Sequence, residues 1–363
     1  MQTLRRFLDR WLFEEYQTDS KSLGLFRILF ASYVLLAELP RGLWSLPQAA
    51  FSPPVSIPAL FTHYPPHWLM LTFNIGTMLC GCCLLLGLFT ATSSFGMALG
   101  MMLVNSFSFA DGKIDEGLLM WVALFMARSG WGAAYSLDAR RRGAPAASPH
   151  QAWLMAVLAM AIGFALFTAG SAKLRGGWLR PDSLGTRYHL FWDYYVFGRQ
   201  MPLAGWAFRN LPHWGWKLAD WPTVFWESSF FLCTFRRSWC RVACAFGAFF
   251  HFGVWLLFDI EISSNLIAYG AFVAWAQLWP SATAALDRRL QTLSEAARAA
   301  LCALPFVFSA CWLFAASPDF RDSVTLGLSK VLLVVGVVFA LVYLRLRWKQ
   351  LFSAALLGNP NRG

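Results

Sequence analysis

Charge is what this chain has least of. Only 13% of its 363 residues are Asp, Glu, Lys or Arg, against 58% hydrophobic, whereas a soluble domain carries roughly 25% charged residues. So little charge cannot make a water-facing surface, and the chain reads as an integral membrane protein, in keeping with a mean hydropathy of +0.49. Motifs are scarce as well. There is no phosphate-cradling Gly-rich loop, no HExxH and no GxSxG, so any chemistry must come from scattered intramembrane polar groups. No repeat or inverted symmetry relates the halves, which argues against a secondary transporter. The eight cysteines lie almost wholly in apolar segments, a placement that fits neither a disulfide framework nor a paired CxxC metal site; they read as small helix-packing residues, with a redox pair as the alternative.

The net charge of +11 is spread over the ends of apolar runs and forms no basic stripe, so nucleic acid is not an expected partner and the lipid bilayer is. The first residues lack the short apolar core and cleavage site of a signal peptide. Leu4, Phe7, Leu8, Trp11 and Leu12, with Arg5, Arg6 and Arg10 opposite, predict an amphipathic interfacial helix within residues 1–21.

Runs of about 20 apolar residues recur about ten times. They lie near Leu23–Leu39, Trp68–Thr90, Ser94–Phe109, a short fourth opened by ADGKIDE (110–116) and ending near Ala127, Ala152–Phe167, Leu218–Phe235, Trp239–Phe258, Ile262–Trp279, Ala299–Ala316 and Val324–Leu344. The expected fold is thus an all-α polytopic bundle with an aromatic extracytoplasmic loop between spans five and six. Residues 22–280 would form the membrane domain, and 281–363 a polar connector with two last helices. Cations test this topology, since cytoplasmic loops carry the excess Lys and Arg. Arg5, Arg6 and Arg10; Arg128 and Arg140–Arg142; Arg236, Arg237 and Arg241; Arg288, Arg289 and Arg298; and Arg345, Arg347 and Lys349 all fall on one side when both termini are cytoplasmic.

One segment breaks the rule. TAGSAKLRGGWLRPDSLGTRYHLFWDYY, Thr168–Tyr195, sits on the opposite side yet crowds Lys173, Arg175, Arg180 and Arg187 with Trp178, His189, Asp193 and Tyr194. Those cations suit an anionic substrate, lipid headgroups or partners within the bundle, and a site here faces away from the cytoplasm. Lys173 is either a base, since an amine in a dry pocket gives up its proton readily, or a lysine snorkelling from the end of span five. Glu227, inside span six, orients a ligand or pairs with a cation such as Lys173 or Arg27. His251, mid-span in FFHFGVW, moves a proton or bonds a neighbouring carbonyl. Arg27 and Glu38 are expected to snorkel to opposite interfaces, and Asp259 and Glu261 to form a solvated turn.

In order along the chain, SLGLFRILFASYVLL, YSLDARRR, AGSAKLRGGW, the acidic residue of span six and FFH resemble the membrane domain of vitamin K-dependent γ-carboxylases, the horizontally transferred transmembrane (HTTM) domain, over about Ser22–Pro280. The resemblance implies that Lys173 deprotonates a reduced vitamin K-type, menaquinol-like quinone. Oxygen then adds, and the strongly basic intermediate removes a glutamyl γ-proton from a peptide that captures CO2. His251 and Glu227 fall on matching positions and inherit a role in shaping or proton-balancing the site. SFADGKIDE stands where carboxylases carry an Asn/His-bearing turn, and the segment after Pro280 reads as helices where they carry a β-rich domain, so quinol binding is implied more directly than carboxylation of a long protein. The rival expectations are a non-catalytic partner subunit of the peptide-toxin maturation type and a small-molecule or lipid transporter. The expected location is a bacterial inner or plasma membrane.

Overall fold

The computed structural model describes residues 2–38, 60–108, 117–142, 152–199, 203–292 and 294–356. Among them every regular element is helical. In chain order, α1 (Gln2–Phe13) precedes α2 (Ser20–Tyr33), which runs into a π-turn at Val34–Glu38. α3 (His67–Leu86) and α4 (Thr90–Ser108) are joined by a tight turn, and α5 (Leu118–Met126) and α6 (Leu137–Arg142) follow. α7 (Ala152–Arg175) leads to the short α8 (Gly185–Phe191), a π-turn at Trp192–Val196, and α9 (Ala204–Asn210). Next come α10 (His213–Cys233), α11 (Arg237–Phe258), α12 (Ser263–Tyr269), a 3-10 turn at Gly270–Phe272, and α13 (Trp275–Leu278). α14 (Pro280–Thr292), α15 (Glu295–Phe314) and α16 (Pro318–Leu356) complete the order.

Six helices among the described residues are long and apolar enough to cross a membrane: α2 with its π-turn, α3, α7, α11, α15 and α16. The protein is an all-helical integral membrane protein. The remaining expected spans differ for identifiable reasons. α4 opens on Thr90, Thr92, Ser93 and Ser94, and α10 carries Lys217, Asp220 and Glu227, which lowers the hydropathy of both. The ADGKIDE opening of span four lies outside the described residues, as does most of the proline-rich loop after span one. Span eight, expected as one helix, is broken: Val273 is extended, and Gly270 O accepts both the Val273 amide at 3.2 Å and the indole Nε1 of Trp275 at 2.8 Å.

The chain folds as two compact units, Met1–Ala161 with Ile267–Thr325 and Ile162–Leu266 with Leu326–Gly363. In the first, the α3–α4 turn is clamped from both ends. Gly87, at φ 67°, closes α3 in the left-handed conformation that glycine adopts without strain, with Gly87 N donating to Leu84 O and Leu88 N to Cys83 O. Arg27 is fully buried and donates to Leu84 O, Leu85 O and Tyr135 O. It therefore does not snorkel; the orphan carbonyls ending α3 capture it, because a helix C-terminus attracts a cation. Asp138 accepts from Phe89 N, Thr90 N and Thr90 Oγ1, capping α4. YSLDARRR thus supplies both the Tyr135 carbonyl and the Asp138 carboxylate. The described cysteines are free thiols, and Cys82 packs 3.5 Å from Ser309 Oγ on α15.

In the second unit, α10 is apolar on the outside. Lys217, Asp220, Val224, Glu227 and Phe230 are buried, whereas Leu218, Trp221, Phe225 and Leu232 are exposed. Spacings of three, four, three and three residues put the buried set on one face, so the charges point into protein and the apolar side chains toward lipid. α7 does not end near Phe167 as expected; it continues through Arg175, since Ala169, Ala172 and Leu174 favour helix and Gly170 lets α10 approach. A Cβ on Gly170 would lie 2.6 Å from Ser228 Oγ and 2.9 Å from Glu227 Cβ.

Candidate functional site

The close approach at Gly170 brings one charge from each helix together a turn later. Lys173, in the last turn of α7, reaches Glu227 on α10, with Nζ 2.7 Å from both Oε1 and Oε2. Glu227 takes Lys173, not Arg27, as its cation. The pair is asymmetric: the Glu227 side chain is 5% exposed and that of Lys173 24%. A carboxylate sealed from water beside a partly open amine can hold the amine's proton at one end while the other end meets a reactant.

Beyond α7 the chain turns through Gly177, at φ 77°, and returns the Trp178 indole over the lysine, with Nζ 5.6 Å from the ring centre. The wall continues from there. His189 lies 5.4 Å from Trp178 and Tyr188 6.0 Å from His189, ring to ring. Tyr188 in turn lines an open groove of about 490 Å³ with Leu184, Arg187, Phe191, Tyr195 and Phe208.

Of the residues singled out in the sequence, Lys173, Glu227, Trp178 and His189 form this continuous cluster. The other four are held by other partners. Arg175 is exposed and turns its Nε back to Ser171 O at 3.4 Å. Asp193 pairs with Arg199 at 3.5 Å and Tyr194 packs on Phe208, so both stabilise the loop itself. His251 is buried on α11, where Nε2 lies 3.3 Å from Asn265 Nδ2 and the ring meets Trp226 edge-on at 5.9 Å. Trp226 Nε1 donates to Ala243 O, tying α10 to α11 beside that histidine.

Two residues of the cluster's surroundings were not foreseen as a pair. Lys217 Nζ donates to Trp178 O at 3.1 Å, Ser183 Oγ at 3.1 Å and Asp220 Oδ2 at 3.2 Å. Asp220 also accepts from Thr186 N at 2.8 Å and Gly185 N at 3.2 Å, the first amides of α8. The one available signal was their i, i+3 spacing at the start of a span, where an unpaired charge is expensive. At the α11–α12 turn, Asp259 adopts φ 52° and Glu261 lies 3.9 Å from Lys330, its side chain only 18% exposed, so this turn is less solvated than expected. Burial and Asp259 push the Glu261 carboxyl above the usual carboxylate range.

No curated protein and no solved structure matches the chain. The family model of the HTTM domain matches residues 16–279, which covers α2 through α13 and includes Arg27, the YSLDARRR segment, Lys173, Glu227 and His251. On that match, extending over most of its length, the chain belongs to the HTTM domain family.

Proposed function

We propose that the protein is a membrane-embedded enzyme related to the vitamin K-dependent γ-carboxylases, with Lys173 as its base and Glu227 as the group that balances the lysine's charge. The observation that carries this reading is the 2.7 Å contact of a one-quarter exposed lysine with both oxygens of a buried glutamate. An amine so placed takes up a proton at Nζ and shares it with Glu227 without opening the bundle to water. Trp178 shields one side of that amine.

The cofactor this implies is a reduced, vitamin K-type quinone, whose bound ring supplies an acidic hydroxyl and reducing equivalents for oxygen. The residues present suit a flat apolar molecule: Tyr188, Phe191, Tyr195 and Phe208 line the groove, and the rings of His189 and Trp178 carry the aromatic wall on to Lys173, where the reacting hydroxyl would sit within hydrogen-bond reach of Nζ. Arg187 at the groove suits an anionic or carboxylate-bearing second substrate, with CO2 as co-substrate if the outcome is carboxylation. In this reading the bundle has about ten spans, both termini are cytoplasmic, and the site opens on the extracytoplasmic side.

The test is binding and oxygen-dependent oxidation of a reduced naphthoquinone by purified protein in detergent, comparing wild type with Lys173→Ala. Oxidation that disappears in the variant while binding persists supports the base assignment. Binding and turnover absent from both would sink the enzyme reading and favour a membrane partner protein.

A further inference from the structure

We propose that Lys217 and Asp220 are positioning residues. They hold the Trp178 indole against the Lys173 ammonium and so set how far that amine is open to its surroundings. The inference rests on Lys173 being the reactive group of the site, but not on which substrate it serves.

The clamp is built from both sides of the indole. Lys217 donates to the carbonyl of Trp178 itself, which fixes the backbone from which the ring projects. Asp220 accepts from Gly185 N and Thr186 N, and Gly185 is where the ring rests: the Trp178 indole leaves no room for a Cβ there. Ser183, between the two anchors, gives Lys217 its third acceptor. Side-chain exposures of 7% for Lys217 and 0% for Asp220 bury the ion pair itself. Each anchor is thus held by a charge-assisted hydrogen bond in a dry setting, where such bonds are strong and directional.

Register links the clamp to the base. Lys217, Asp220, Val224 and Glu227 share one buried face of α10, so the helix that presents the carboxylate to Lys173 also grips the loop that covers it. Lys173 Nζ is therefore bounded by two groups set from the same rigid element, Glu227 at 2.7 Å and the Trp178 ring centre at 5.6 Å. A buried ion pair that served stability alone would have no reason to affect the reactivity of Lys173.

The experiment is lysine labelling of the full chain in detergent with a water-soluble succinimidyl ester, read peptide by peptide by mass spectrometry. Lys21, whose side chain is 53% exposed and pairs with Asp287, serves as the internal reference. Labelling of Lys173 is expected to rise about five-fold in Trp178→Ala, with Lys21 unchanged, the change that losing one ordinary cation–π contact allows. A similar rise is expected in Asp220→Asn and in the double variant Lys217→Met, Asp220→Asn, which leaves no buried charge alone. Adding Asp220→Asn to Trp178→Ala should change nothing further, because both act through the same ring.

Folded clamp variants that label Lys173 at the wild-type rate would overturn the proposal, as would effects that multiply in the combined variant. If the charge variants do not fold, Ser183→Ala decides, since it removes one acceptor of Lys217 and strands no charge. A rise in Lys173 labelling there supports the clamp, and an unchanged rate overturns it. Labelling needs no quinol turnover, so this result stands apart from the test of the enzyme reading.

Discussion

Removing either member of the Lys173–Glu227 pair leaves the other behind, and the two leftovers are not equally placed. Lys173→Met strands a carboxylate whose side chain is 5% exposed, whereas Glu227→Gln leaves a lysine that is 24% exposed and still has an amide oxygen to bond. An isolated buried charge costs about 3 kcal/mol or more when its partner is deleted. A lysine that can reach water loses only about 1 kcal/mol, in the range of a partly screened pair. Lys173→Met is therefore expected to destabilise the protein by about 2 kcal/mol more than Glu227→Gln. The double variant should cost about 1–2 kcal/mol, less than the sum of the two single costs, because it strands no charge and leaves only one buried amide without its partner. The assay is unfolding of purified protein in mixed micelles as the denaturing detergent fraction rises, with all four members of the cycle compared. Equal costs for the two single variants would refute the asymmetry. Additive costs in the double variant would refute the coupling itself.

Three other outcomes follow from the geometry. Arg27→Met should cost about 3 kcal/mol in the same assay, and Arg27→Lys should recover only part of it, because one ammonium cannot span Leu84 O, Leu85 O and Tyr135 O as a guanidinium does. Gly170→Val should push α7 from α10 and cost about 2 kcal/mol, with quinol oxidation lost along with the Lys173–Glu227 contact; a variant of full stability and activity would show that the close approach is not needed. Glu261 has its carboxyl raised by burial and by Asp259, so the folded state holds this proton more tightly than the unfolded chain. Its contribution is then fully present at low pH and declines as pH rises from the ordinary carboxylate range to the raised value. Glu261→Gln should flatten that part of the stability–pH curve, and an unchanged slope would contradict the assignment.

The membrane class was decided by the sequence alone, because hydropathy is a sum over neighbours in the chain and needs no knowledge of packing. The six long apolar helices follow from it, as does the family, since SLGLFRILFASYVLL, YSLDARRR and AGSAKLRGGW keep their order whatever their positions in space. Lys173 and Glu227 stood out for the same local reason: a charge inside an apolar run is expensive. Which charges meet depends on how helices distant in sequence are rotated and spaced, and only the tertiary structure decided that. Gly170 sets the α7–α10 approach that gives Glu227 to Lys173, while the carbonyls ending α3 draw Arg27 away from any interface. The same dependence hid the grip of Lys217 and Asp220 on the loop after α7, because their partners lie some 34 to 39 residues earlier. The break in the expected eighth span was hidden too: a run of apolar residues carries no record of where its backbone turns, although the indole that bonds Gly270 O lies only five residues on.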